Sequence, residues 1–356
     1  MKSIVNDHSP EGPVARFVDI PIPEPKPDQV LIKVVVAGAN PKDWKGPEWV
    51  AAGHIISPIL EGARDTINQG DDIAGIVEKV GANVTEFKPG DRVAAFHEMY
   101  TPGGAYAEYA IAWSHTTFHL PSHTSFEEAA TLPLAALTVA ASLYANLGLP
   151  FPWRPATNLT PLIIYGASTA VGAFAIKLAQ NSNIHPIIAI AGKACPYVET
   201  LIDKSKGDAV IDYRSGVEAT ITAVKGSLKS AGHEDVFHAL DAAIVAESGE
   251  VLRQTVAPGG QIDFVLPNDF DVSPAVKSYT SVGSVHNIPG YPHNAEIGYV
   301  FSRYLTRALQ NGTLTGHPYE VRERGLEGVQ QALRDLKAGK ASAVKYVFRI
   351  ADTPGL

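Results

Sequence analysis

Two hydroxyls, Ser168 and Thr169, stand where an apolar run gives way to a helical pattern, inside Leu162-Ile-Ile-Tyr-Gly-Ala-Ser-Thr-Ala-Val-Gly-Ala-Phe-Ala-Ile-Lys-Leu-Ala-Gln180. Leu162 to Tyr165 have strand composition. Val171, Phe174, Ala175 and Leu178 recur at three- and four-residue spacing, enough for one apolar helix face. A tight turn at Gly166 between the two leaves backbone N–H groups at a helix N-terminus, where the dipole and the unpaired donors favour a phosphate. The strict dinucleotide fingerprint is Gly-x-Gly-x-x-Gly. Here Gly166 and Gly172 are present and hydroxyls occupy the middle. Taken alone, the stretch is a phosphate cradle or a structural turn.

A second position bears on the choice. The next apolar run, Pro186 to Ala191, ends in Gly192-Lys193. An acid at the end of that strand would hydrogen-bond the ribose 2′-hydroxyl of NAD and repel a 2′-phosphate. The chain has no acid there and one cation, so Lys193 favours NADPH; as a solvated surface lysine it would select nothing. Tyr213 and Arg214, after a third strand at Ala209–Tyr213, are placed to flank an adenine and its phosphate. His115, His119 and His123 sit four apart, which on a helix would be metal-ligand spacing. Thr116-Thr-Phe-His-Leu-Pro121 reads instead as a strand ending in proline, so the three need not converge, and no metal site is expected.

The bulk composition narrows the class. The 356 residues are enough for a sizeable core and two domains. Hydrophobic residues at 45% and charged residues at 19% describe an ordinary globular chain. A net charge of −8 with no basic block disfavours nucleic acid and anionic membrane as partners. Cys195 alone excludes an intrachain disulfide and a cysteine-built zinc site. The N-terminus breaks into charge and proline before an apolar signal core forms, and no apolar run approaches 18 residues, so a cytoplasmic location without a membrane span is expected.

The elements that would position these residues fall into two groups. Residues 1–125 are rich in strands and turns, as in a barrel-like β domain. Gln29–Ala37 alternates strongly and runs into Asn40-Pro-Lys-Asp43, where Asn40 suits a helix N-cap and Pro41 the first helical position. Ser125 and Glu128 form a capping-box pattern at the start of the next helical stretch. From there strands at 162–165, 186–191, 209–213, 236–241 and 259–266 alternate with helical stretches, which argues for a parallel, doubly wound sheet. After about Ser284 come amphipathic helices near 296–310 and 326–338 and a final strand at 344–350.

The order of motifs resembles the medium-chain dehydrogenase/reductase superfamily, in its zinc-free quinone oxidoreductase and enoyl reductase branch. The resemblance rests on Asn40-Pro-Lys-Asp43, Phe87-Lys-Pro-Gly-Asp-Arg-Val93, Gly103-Gly-Ala-Tyr-Ala-Glu-Tyr109, Ala130-Thr-Leu-Pro133 and Leu137-Thr138. It continues through Tyr165-Gly-Ala-Ser-Thr-Ala-Val-Gly172, Val210-Ile-Asp-Tyr213 and Ala338-Gly-Lys-Ala-Ser-Ala-Val-Lys345. These span nearly the whole chain. The Ser-Thr-Ala turn is similar to that of fungal trans-acting enoyl reductases of polyketide pathways. Zinc-dependent relatives place a cysteine where this chain has Asn40 and a histidine–glutamate pair where it has Asp71-Asp72.

The resemblance implies an α/β fold: a GroES-like, β-rich barrel domain (1–125 and 285–356) and an NADPH-binding Rossmann domain (126–284). It implies a zinc-independent reductase that transfers hydride to an activated C=C bond. The substrate would be a carrier-bound enoyl thioester, with a polyketide synthase as partner, or a small free quinone, alkenal or aldehyde. A non-catalytic NADPH binder is a third possibility, since no acid–base constellation is evident, and the chain would be a monomer or homodimer. The family pattern puts Ser168, Thr169, Ala170 and Val171 on the pyrophosphate and Gly192, Lys193 and Tyr213 toward the adenosine. Lys42, Asp43, Trp44, Lys45, Thr138, Leu266, Pro267, Val344 and Lys345 would lie near the nicotinamide. Lys45 and Thr138 are the catalytic candidates: Lys45 as a cation beside the oxygen that gains charge or an idle exposed lysine, Thr138 as a pocket hydroxyl or a helix residue bonding its own carbonyls. Tyr100, Tyr106 and His286 are candidates for the substrate pocket or for packing.

Overall fold

A computed structural model describes residues 1–53, 70–286 and 293–356. The chain opens with β1 (Lys2–Ser9), β2 (Gly12–Asp19), β3 (Gln29–Gly38), α1 (Lys42–Ala51), β4 (Asp72–Val80), β5 (Arg92–Phe96), β6 (Tyr109–Trp113) and β7 (Thr117–His119). Then follow α2 (Phe126–Ala129), α3 (Pro133–Ala140), β8 (Leu162–Tyr165), α4 (Ala170–Asn181), β9 (Ile187–Ala191), α5 (Cys195–Glu199) and β10 (Ala209–Asp212). Next are α6 (Val217–Ser230), β11 (His238–Asp241), α7 (Ala246–Thr255), β12 (Gln261–Phe264) and β13 (Val276–Tyr279), and last α8 (Ala295–Gln310), β14 (Tyr319–Val321), α9 (Val329–Lys337) and β15 (Lys345–Arg349).

The chain divides into two compact units, Met1–Leu134 with Val285–Leu356, and Ala135–Ser284. The division falls nine residues beyond the expected start of the second domain. Residues 126–134 are tied to the first unit by Asp72, which accepts from the Leu134 N–H at 2.7 Å, and by Glu128, which accepts from the Gly316 N–H at 2.8 Å.

In the first unit, among the described residues, a seven-stranded sheet runs β14-β15-β3-β4-β5-β7, with β6 also pairing β3. The register shifts at Leu31/Ile32 and Val34/Val36 bend β3, the strand that pairs with three others; bulges are how a strand curves a sheet toward closure. The core of this unit gathers Val30, Ile32, Val34, Ile73, Val77, Val93, Tyr106 and Phe348. In the second unit six parallel strands run β10-β9-β8-β11-β12-β13, the 3-2-1-4-5-6 order of a doubly wound dinucleotide fold. Every residue of β8 and β9 is buried, as strands covered by helices on both faces must be.

Two strands escape the sequence pattern. β13 and β14 are short and at sheet edges, with Val276 and Tyr279 about half exposed, so no apolar alternation marks them. A third departure concerns Asn40, which does not cap α1: Pro41 occupies the cap position without a side-chain bond, and the Asn40 amide turns inward to Asp72. Ser125 does cap α2, accepting from the Glu128 N–H. Although the sequence has no uninterrupted apolar run near 18 residues, Phe126–Asn146 form one helical stretch apolar and long enough to cross a membrane by length and composition. Its apolar window is 83% buried within the protein, which is the situation of a core helix.

Candidate functional site

In the second unit the residues expected at a phosphate form the link between β8 and α4. Gly166 turns the chain at φ +79°. A Cβ at Gly172 would lie 2.3 Å from the Gly166 carbonyl oxygen, so only glycine lets α4 start this close to the strand. Thr169 is the N-cap of α4, its Oγ1 accepting from the Gly172 N–H at 3.0 Å. The Ala173 N–H is also satisfied, by the Thr169 carbonyl at 2.8 Å. The N–H groups of Ala170 and Val171 have no intramolecular acceptor among the described residues, as expected for the first turn of a helix. Ser168 and Thr169 are accessible beside them. A hydroxyl that accepts one bond keeps its own hydrogen to donate, so capping by Thr169 and contact with an anion are compatible. These donors fit a pyrophosphate.

Gly192 and Lys193 follow the C-terminal end of β9, the neighbour of β8. Tyr213 lies over Gly192, close enough that a Cβ there would be 2.8 Å from the phenol oxygen, and it stacks on Tyr165 at 5.8 Å. Lys193 is exposed and makes no ion pair among the described residues. Arg214 is otherwise engaged: its Nε donates to both oxygens of Asp212 at 2.9 and 3.0 Å, and the guanidinium holds the Asp212 carboxyl down at about 2. Of the two cations considered for a 2′-phosphate, Lys193 is the one whose charge is not matched locally. Leu266 is half-buried and Pro267 exposed just past the end of β12, and Thr138 is buried on α3.

In the first unit the structure assembles a cluster of buried charges that sequence reading missed. Asp72 accepts from Asn40 Nδ2 at 2.7 Å and Lys345 Nζ at 2.5 Å, and Lys345 also donates to Asn40 Oδ1 at 2.8 Å. Alongside, Lys42 Nζ lies 2.5 Å from Asp71 and 3.3 Å from Asp43. Asp43 accepts from the Tyr106 hydroxyl at 2.7 Å and from the Asn40 N–H at 2.8 Å. All three aspartates are fully buried and both lysines nearly so. Burial pushes the carboxyl of Asp71 well up, with Lys42 opposing and Asp43 adding to it; Asp43 is raised for the same first reason. Burial alone would lower the Lys42 ammonium, but Asp71 and Asp43 more than reverse it. Among the described residues three carboxyls meet two ammoniums, and unmatched buried charge is costly, which is why Asp71 and Asp43 are both pushed up. The signal was present in the spacing Asn40-Pro-Lys-Asp43, Asp71-Asp72 and Lys345, but only folding brings three distant segments to one point.

The nicotinamide-side candidates therefore separate. Lys42, Asp43 and Lys345 are bound into this cluster. Trp44 packs half-buried against the core beneath the sheet, as does Val344. Lys45 is half-buried, 5.6 Å from the Trp44 ring, and burial lowers its ammonium, offset in part by Glu48. Tyr106 is a core residue with no exposure. The three spaced histidines have separate partners: His115 meets the Val285 carbonyl, His119 meets Asp91 and His123 meets the Leu309 carbonyl. Among the described residues no group of histidine, cysteine and acid side chains has a metal-holding arrangement.

Residues 26–122 match the alcohol dehydrogenase GroES-like domain. The chain is 45% identical to the trans-enoyl reductase fsr4 of Gibberella fujikuroi over 321 residues, covering 87% of this chain and 88% of that protein. It is 30% identical to the trans-enoyl reductase resD of Aspergillus sclerotiorum over 95% of this chain and 98% of that one. The crystal structure of CurK enoyl reductase superposes with a TM-score of 0.74 at 20% identity, covering 97% of this chain and 98% of the other, a likeness of fold. With a GroES-like unit, a doubly wound unit of 3-2-1-4-5-6 order and chain-long similarity to these enzymes, the chain is an oxidoreductase that belongs to the trans-enoyl reductase family of the medium-chain dehydrogenase/reductase superfamily.

Proposed function

We propose that the protein is an NADPH-dependent, metal-independent reductase of the C=C bond of enoyl thioesters, acting on a substrate carried by a polyketide synthase. The observation that carries the cofactor is the second unit's open phosphate turn beside a strand end with Lys193 and no acid. Ala170 and Val171 N–H groups and the Ser168 and Thr169 hydroxyls would receive the pyrophosphate, Lys193 the 2′-phosphate and Tyr213 the adenine face. A nicotinamide cofactor supplies the hydride when bound. The substrate class is supported by the similarity to trans-enoyl reductases over most of the chain.

Metal independence is supported by the donor set. At the positions where zinc-dependent relatives carry their ligands, Asn40, Asp71 and Asp72 bind the ammoniums of Lys345 and Lys42. A cation would have to displace them. The thioester oxygen that gains charge during reduction then needs a side-chain donor, and Lys45 has the chemistry: a half-buried ammonium at reduced dielectric strengthens its pull on a developing anion. Orientation and exclusion of water complete the enzyme's part. Mixing the protein with NADPH and enoyl thioesters, quinones and alkenals tests the reading. NADPH oxidation by the thioesters, unaffected by a chelator, is the expected result. Turnover with quinones alone, or activity lost to a chelator and restored by zinc, would overturn it.

A further inference from the structure

Asp263, on β12, is fully buried, and among the described residues no cation pairs with it. Four side chains donate to it instead. Ser142 Oγ at 2.7 Å and Thr280 Oγ1 at 2.6 Å meet one carboxyl oxygen, and Asn146 Nδ2 at 2.8 Å and Ser278 Oγ at 2.7 Å meet the other. A buried acid is a costly way to join elements, since well-packed apolar side chains would join them without desolvating a carboxyl. What a fully satisfied polar network adds is a single, rigid arrangement.

That arrangement belongs to the helix that carries Thr138. Beyond α3 the helix continues through Ala141–Asn146 as a π-helix, with the Leu147 N–H donating to the Ser142 carbonyl, five residues back, at 2.9 Å. Such wide turns are rare and occur frequently at functional sites. Ser142 and Asn146, the two donors the helix sends to Asp263, both come from this turn. Gln261 Nε2 also donates to the Asn146 carbonyl at 3.1 Å. The end of the helix therefore meets the start of β12, and the helix runs antiparallel to the strand. Gln261 and Asp263 share one face of β12, and the alternation continues to Val265. Thr138 lies one turn before Ser142, about 6 Å back along the helix. Val265 lies two residues past Asp263, about 6.6 Å along the strand. Thr138 is thereby brought level with Val265 at the carboxyl end of β12, where Leu266 and Pro267 follow and where doubly wound folds bind their ligands.

We propose that Asp263 is a positioning residue for the reduction: its carboxyl pins the π-helical turn and so holds Thr138 at the nicotinamide end of the cofactor site. The assignment rests on the reading of the protein as a nicotinamide-dependent enoyl reductase. Ser142 and Asn146 are the arm of the network that reaches the helix. Ser278 and Thr280 are the arm that secures the edge strand β13 and the residue after it. Two groups of nicotinamide-side candidates, Thr138 on the helix and Leu266-Pro267 past the strand, thus hang from one carboxyl. As a structural tie alone, Asp263 would use its two arms equivalently. As a positioning residue, it makes only the helix arm matter to the chemistry.

The test removes one hydroxyl from each arm in the full chain. S142A and S278A each delete one bond to Asp263 and should lower the melting temperature by similar amounts. S142A should also lower kcat for enoyl thioester reduction by about 10- to 100-fold, the range that small misplacements carry. Its Kd for NADPH, read by tryptophan fluorescence, should stay as in wild type, while the emission of the bound NADPH, which reports the surroundings of the nicotinamide, should shift. S278A should leave kcat and that emission unchanged. T138A should lower kcat too, and S142A added to it should cause little further loss, because residues that act as one unit are not additive. Wild-type kcat and emission in S142A, equal kcat losses in both serine variants, or losses that multiply in the double variant would each overturn the proposal. Wild type that binds no NADPH or reduces no enoyl thioester overturns the underlying reading instead, and is seen before any substitution is made.

Discussion

At the residue scale, the proposed reading rests cofactor choice and the stabilisation of the developing charge on single side chains. Replacing Lys193 by Glu puts an acid where NAD-binding folds use one. K193E should weaken NADPH at least tenfold, about 1.4 kcal/mol, and leave NADH affinity equal or better; fluorescence titration with both cofactors reads this. At Thr169 and Ser168 the capping role and the proposed phosphate role can be told apart. T169A removes the α4 cap and should lower stability by about 1 kcal/mol, whereas S168A, with no capping bond to lose, should leave the melting temperature unchanged and raise the Kd for NADPH. Equal Kd values for S168A and wild type would remove Ser168 from the site. Much of this scale was legible: the hydroxyl pair, the missing acid and Lys193 are all sequence facts. The fate of Arg214 was not, since its neutralisation by Asp212 depends on a local turn.

At the element scale, the strand–turn–helix of β8 and α4 works because backbone segments approach closely. G172A puts a methyl against the Gly166 carbonyl, and nothing flexible is there to yield. The expected outcome is a loss of about 1–3 kcal/mol from overpacking, together with a larger loss of NADPH affinity as the first turn of α4 is pushed off the strand. Thermal melting and cofactor titration on the same variant separate the two. The parallel strands at 162–165 and 187–191 were readable because each is an apolar run bounded by turn residues. β13 and β14 were not, because an edge strand needs only backbone pairing on one side and imposes no apolar pattern. Asn40 was misread as a cap for a related reason: its capping chemistry and its bonds to Asp72 and Lys345 use the same amide, and tertiary partners won.

At the scale of the whole molecule, the buried cluster joins β15 to β4 and to the start of α1 through Lys345, Asp72 and Asn40. K345M leaves Asp72 without its cation and should cost about 3–5 kcal/mol, the usual result of breaking one side of a buried pair; K345M with D72N should recover part of it, and chemical denaturation measures both. In the second unit, burial pushes the phenols of Tyr165 and Tyr197 up to about 12 from an ordinary value of 10. Below pH 10 both stay protonated whether folded or unfolded, and the contribution is complete. Between pH 10 and about 12 the unfolded chain gives up these protons first, so stability falls as pH rises through that window. Y165F should flatten the decline, as read by unfolding midpoints across the alkaline range. An unchanged slope would show that Tyr165 ionises as readily in the folded state.

The sequence by itself determined what is local or periodic: the strand–Gly–helix link at 162–180, the alternation of the doubly wound unit, the strand end without an acid, and the order of motifs that marks the family. Each depends on residues within about twenty positions of one another, or on patterns that repeat. Only the tertiary structure decided what Lys42, Asp43, Asp71, Asp72 and Lys345 do. They lie on three segments up to 303 positions apart, their types alone fit surface charges or cofactor contacts equally well, and burial converts them into an ion cluster that must balance its own charge.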